Sequence, residues 1–129
     1  QCPGNPYNDI DEQVPTATAA ASCQAAAHAP LAYLHIMRSP LEGLDAFALA
    51  REHSPHQLIL NDGFDGPSAS AALASGEGAA VSFGRHFIAN PDLVERLRRG
   101  LALSRFDRKT LYTPGAAGYS DYPVSQERA

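Results

Sequence analysis

Two short stretches of the chain carry the residue types of an anion clasp, Asn61-Asp62-Gly63 and Phe83-Gly84-Arg85. Glycine lets a backbone come close to an anion and present its N–H groups, and a guanidinium grips a phosphate or carboxylate through two parallel hydrogen bonds. A phosphate is the group such a set would hold. Singly, each residue has a plainer reading: Gly63 and Gly84 as ordinary turn glycines, Arg85 as a surface ion-pair partner. What joins them is position, because each stretch closes a short apolar run, Gln57 onward in one case and Ala79 onward in the other.

Other residue types narrow the chemistry further. His35 ends an apolar run and reads either as a group at the mouth of a fold or as a hydrogen-bonded structural histidine, so it receives no role. His28, His53, His56 and His86 share no ligand spacing with one another or with Cys2 and Cys23, and no metal site is expected. The two cysteines form no CxxC and suit free thiols in a reducing cytoplasm. Ten basic against fourteen acidic residues, net charge -4, oppose the basic footprint of a nucleic-acid binder. With 44% hydrophobic and 19% charged residues in 129, the chain is neither a disordered tail nor collagen-like, and suits one soluble globular domain. Residues 17–29 are interrupted by Ser22, Gln24 and His28, too polar and short to cross a bilayer. The chain opens on Gln1 and its one methionine is Met37, so translation is expected to begin upstream.

These residues need elements to position them. Residues 1–15, dense in Pro, Gly, Asn and Asp, predict loop. Residues 17–29 predict a helix starting near Thr16, with Pro15 ahead of its first turn and Pro30 beyond its last. Residues 31–36 are almost wholly apolar and read as a strand buried on both faces. Residues 44–53 have helical spacing, with Asp45 as cap and Leu44, Phe47, Ala48 and Ala50 as the apolar stripe. A second strand follows at 57–61, a helix at 67–75 stopped by Gly76, and a third strand at 79–83. Asn90-Pro91-Asp92 then predicts the start of a helix, with a capping Asn and Pro at the first helical position, and Gly100 its end.

Alternating helices and strands predict an α/β fold, a parallel sheet joined by crossover helices. Strand starts at Leu31, Gln57 and Ala79 recur at intervals a little under the ~31-residue unit of a (β/α)8 barrel. Three strands make about half of one. In such barrels the loops after the strands gather the site and often hold a phosphate, which places both glycine-bearing stretches where that chemistry belongs.

Residues 81–123, VSFGRHFIANPDLVERLRRGLALSRFDRKTLYTPGAAGYSDYP, resemble the carboxy-terminal segment of the old yellow enzyme family of FMN-dependent ene-reductases. CPGNPYNDI at 2–10, LAYLHI at 31–36 and LILNDGFD at 58–65 are similar to successive earlier segments of that family, in the same order. The likeness covers nearly the whole chain, and FGRxFIxNPDLxxRL is long enough to be specific. It implies the C-terminal half of a (β/α)8 TIM barrel, three parallel strands with crossover helices, as one partial domain over 1–129 with a tail from about 101. It also implies a flavoenzyme: FMN is the cofactor, NAD(P)H the hydride source, and an activated alkene the small-molecule substrate.

By that resemblance Gly63, Gly84 and Arg85 contact the FMN phosphate, Arg85 neutralising charge and the glycine amides supplying directed donors. Tyr112 matches a family aromatic that lines the substrate pocket near the flavin; a packed tail tyrosine is the alternative. Leu111 stands where members commonly carry Phe, which implies a reshaped pocket wall. Asp62 stands where the family usually has the first Gly of an NGGY/F pattern, and it would set an anion beside the phosphate. At ~5 Å and an effective dielectric near 20, that repulsion is on the order of 3 kcal/mol, about what Arg85 gains at similar range. FMN is then held only if the Asp62 side chain turns away, or Asp62 has a structural role instead, capping the following turn.

The family's substrate-anchoring His-x-x-Asn or His-x-x-His motif and its proton-donating Tyr belong to barrel segments outside this sequence. Three parallel strands cannot close on themselves, so the chain alone is expected to be inactive and unstable or self-associating, its partner the missing N-terminal half or a second copy. The implied function is hydride transfer from NAD(P)H through FMN to the C=C bond of an enone. The alternative is a non-catalytic, degenerate half-barrel that serves as a binding or assembly module, which Asp62 and the absent catalytic segment favour.

Overall fold

A computed structural model describes residues 15–126. The expected loop at the amino end, with Cys2, lies outside the described residues apart from Pro15, which instead opens the first helix. Two compact units divide the chain, Gln1–Ser82 and Phe83–Ala129.

In the first unit the helices and strands are α1 (Pro15–Ala27), β1 (Tyr33–Met37), α2 (Ala46–His53), β2 (Gln57–Asn61), α3 (Gly66–Ala74) and β3 (Ala80–Ser82). The strands form one parallel sheet in the order β1-β2-β3. Register fixes the faces, because alternate strand residues point to opposite sides. Leu34, Leu58 share one row, and Ile36, Leu60 and Val81 the next, all on one face. Leu58 and Leu60 are buried there, and α2 packs on β1 and β2 while α3 packs on β3. His35, Ile59 and Ala80 form a row on the opposite face, followed by Met37, Asn61 and Ser82.

The first strand departs from the expectation of burial on both faces. It runs one residue further, to Met37, and Tyr33 is 53% exposed. The physical reason is its place at a sheet edge: β2 covers one side, the helices cover the row of Leu34 and Ile36, and the row of Tyr33 and His35 is left exposed.

Caps explain why the crossover helices start where they do. Asp45 Oδ1 accepts from Phe47 and Ala48 N–H, both at 3.0 Å, as the sequence predicts. The expected stripe is buried at Leu44, Phe47 and Ala50, with Ala48 only half-buried and Ala46 buried instead. Asp65 and Ser68 form a reciprocal capping box at the start of α3, with Pro67 in the first turn, and Gly76 at φ 78° follows its end. The N-cap of α3 is Asp65. On α1, Ala19 and Cys23 are buried one turn apart, and burial pushes the free Cys23 thiol up from its ordinary pKa.

The second unit holds α4 (Arg85–Ala89) and α5 (Leu93–Arg99). The sequence did not predict α4, and it placed the start of the next helix at Asn90 and Pro91. Asn90 does not cap α5, whose N-cap is Asp92, but sits at the C-cap of α4: its side chain is fully buried, donating to His86 O at 2.9 Å and Ser104 O at 3.2 Å and accepting from Ser104 N–H at 2.7 Å. It brackets the tail against α4. Gly100 at φ 66° ends α5 as predicted. Beyond it, the buried Arg96 collects the tail, binding Asp92 at 2.7 Å, Ala102 O at 3.0 Å and Pro123 O at 3.2 Å. No helix among the described residues is long and apolar enough to cross a membrane.

Candidate anion-binding loops

The Asp62-Gly63 turn follows β2 and has two successive left-handed residues, at φ 71° and φ 76°. That conformation costs a non-glycine residue about 1 kcal/mol or more, so Asp62 is held by its surroundings and Gly63 is the residue type the backbone asks for. Arg38 supplies part of that hold, its Nε donating to Asp62 O at 3.3 Å. A Cβ on Gly63 would lie 2.9 Å from the same Nε, so the Arg38 side chain would have to shift to admit one. The turn reading of Gly63 is therefore correct as far as the backbone goes, and it leaves the amide of that residue on an exposed loop.

On the face of the sheet turned from α2 and α3, polar groups from all three strands meet. His35 Nε2 and Ser82 Oγ are 2.7 Å apart, and Asn61 Nδ2 donates to Ser82 Oγ at 2.8 Å and to Ser82 O at 3.0 Å. The sequence assigns His35 no role, and neither Asn61 nor Ser82 stands out in it as a side chain. The available signal was the two-residue period: His35, Asn61 and Ser82 are polar positions in runs whose alternate residues are apolar. The network ties the strand ends from which the Asp62-Gly63 turn departs.

In the second unit Gly84 is the N-cap of α4, at φ -92°, with no demand for glycine in its backbone. A Cβ there would meet nothing within 4 Å. Neither a positive φ nor close packing within the described residues demands glycine at position 84, which is exposed. Arg85 opens α4, half-buried, its guanidinium carbon 5.6 Å from the centre of the Phe106 ring. The same ring meets His86 edge-on at 5.5 Å, and His86 Nδ1 is buried with no hydrogen-bond partner among the described residues.

Tyr112 is 87% exposed, while the adjacent Leu111 is buried. Thr110 fixes the turn before them, its N–H and Oγ1 bonding Asp107 O at 3.2 and 3.1 Å. Leu111 anchors and Tyr112 projects, so the ring is not a packed tail tyrosine. Among the described residues no three His, Cys, Asp or Glu side chains converge as a metal site would require.

No family model matches the chain. A Leishmania infantum protein named "Probable flavin mononucleotide-dependent alkene reductase" is 38% identical over 125 residues, covering 94% of this chain and 34% of its own length. The old yellow enzyme of Trypanosoma cruzi superposes with a TM-score of 0.84 at 34% identity, over 93% of this chain and 33% of that one. Morphinone reductase gives a TM-score of 0.80 at 33% identity, over 98% of this chain and 36% of that one. The chain spans about a third of the length of these relatives.

Proposed function

This chain belongs to the old yellow enzyme family, and we propose that it is the carboxy-terminal part of an FMN-dependent ene-reductase barrel and supplies the loops that hold the FMN phosphate. FMN, when bound, supplies the redox chemistry, carrying hydride from NAD(P)H to the activated C=C bond of an enone-type substrate. The residues of this chain act by binding and orienting. Gly63 and Gly84 offer backbone donors without side chains in the way, and the Arg85 guanidinium neutralises phosphate charge. Tyr112 offers an aromatic wall to the substrate side.

The observation that carries this reading is Gly84: an exposed glycine that neither a positive φ nor close packing demands, next to an arginine and two residues after a parallel strand. The loop after β2 supports it, since Gly63 is exposed and its conformation is fixed. The Asp62 carboxylate opposes the phosphate wherever the two approach, so the reading requires that carboxylate to point from the anion.

The test is the longest polypeptide its gene encodes. Purified without added flavin, it should be yellow with flavin absorbance and should oxidise NADPH only when an enone is present. Colourless protein that takes up no FMN on titration would contradict the proposal.

A further inference from the structure

The Asp62-Gly63 turn leans on a residue that no motif pointed to. Arg38 follows β1 by one position, and its backbone N–H donates to Asn61 O at 2.9 Å, extending the β1–β2 ladder past the last strand residue. Its guanidinium carbon lies 4.9 Å from the centre of the Phe47 ring and 5.1 Å from that of Phe64. Those rings are buried and stacked 5.9 Å apart, so they fix the plane and direction of the side chain. From that seat Nε reaches the carbonyl oxygen of Asp62 and lies against Gly63.

A left-handed non-glycine residue carries a conformational cost that contacts from neighbouring elements offset, and the bond from Arg38 is one such contact. We propose that Arg38 is a positioning residue that holds Asp62 and Gly63 in their left-handed conformation, and so sets the backbone donors that receive the FMN phosphate. The proposal rests on the assignment of this turn to the phosphate. A lysine could not do the same, because its ammonium has neither the flat face that packs on the rings nor a nitrogen at the Nε position.

The test is a double-mutant cycle in the longest polypeptide its gene encodes, with Arg38→Ala, Arg38→Lys, Asp62→Gly and Arg38→Ala/Asp62→Gly. FMN and riboflavin dissociation constants are measured for each, together with hydrogen exchange over residues 61–65. Arg38→Ala should weaken FMN about tenfold, or ~1.4 kcal/mol, and riboflavin less than about twofold, since riboflavin lacks the phosphate. Arg38→Lys should behave as Arg38→Ala. In the Asp62→Gly background, where a glycine needs no support at that φ, the loss of Arg38 should cost FMN less than about twofold. An equal cost in both backgrounds, or an equal loss for riboflavin, would overturn the proposal. If the wild-type protein binds no FMN, the preceding functional reading fails, and exchange decides this one alone: faster exchange across residues 61–65 in Arg38→Ala supports it, and unchanged exchange overturns it.

Discussion

The two candidate glycines differ in what holds them, and that difference separates folding from binding. Gly63 has a left-handed backbone and Arg38 Nε at 2.9 Å from where a Cβ would stand; Gly84 has an ordinary φ and nothing within 4 Å. Gly63→Ala should therefore cost about 2 kcal/mol of stability, and Gly84→Ala less than about 1 kcal/mol, by denaturant titration. FMN binding should fall in both variants. A Gly84→Ala protein that binds FMN as the wild type does would show that the space over Gly84 is not used. Both glycines were legible as candidates from the sequence, but not this contrast, which depends on a side chain from the preceding strand end. Arg38 was invisible for the same reason: its partners Phe47 and Phe64 are remote in sequence and meet only through the fold.

Among elements, β2 and the capped start of α2 were legible residue by residue, because a short apolar run between polar ends and an Asp at the cap carry their own physics. Helix α4 was not, since five residues are too few for a 3.6-residue period to show. Asn90 misled for a physical reason: the Asn-Pro-Asp pattern has the chemistry of a helix start, whereas the side chain is consumed by Ser104 fourteen residues on. The tail beyond α5 depends on Asp92 in a way that titrates. Ser125 N–H donates to Asp92 Oδ2 at 2.7 Å and Arg96 Nε to Oδ1 at 2.7 Å, and these bonds hold the Asp92 pKa below its ordinary value. A carboxyl with a depressed folded pKa stabilises above its unfolded value, ~3.9, and that contribution disappears as pH falls through the folded one. Exchange protection at Ser125 should thus be level from neutral pH down to about 5, begin to fall near the ordinary carboxyl value of ~3.9, and be lost as pH drops through the lower folded value. Asp92→Asn should lower protection at neutral pH and flatten this dependence; protection that persists in acid would contradict the role given to Asp92.

For the whole molecule, the α/β class and the parallel order of the strands were legible from alternation, and family membership from motif runs. Burial was not, because a sequence states how apolar a strand is and not whether anything covers it. A parallel sheet of three strands has two edges, and the row of Tyr33 and His35 on its helix-free face is exposed. The 129-residue chain produced alone should accordingly sediment as concentration-dependent assemblies and melt without a sharp transition. A single monomer species with a cooperative melt would contradict that expectation.

A chain that grips a phosphate distinguishes flavins with and without that group, and flavin titration measures the difference. In the longest polypeptide its gene encodes, FMN should bind more tightly than riboflavin, and Arg85→Ala should weaken FMN roughly 10- to 100-fold, the value of one charge-assisted hydrogen bond, while leaving riboflavin unchanged. Equal affinity for the two flavins, or an Arg85→Ala loss shared by both, would contradict the account.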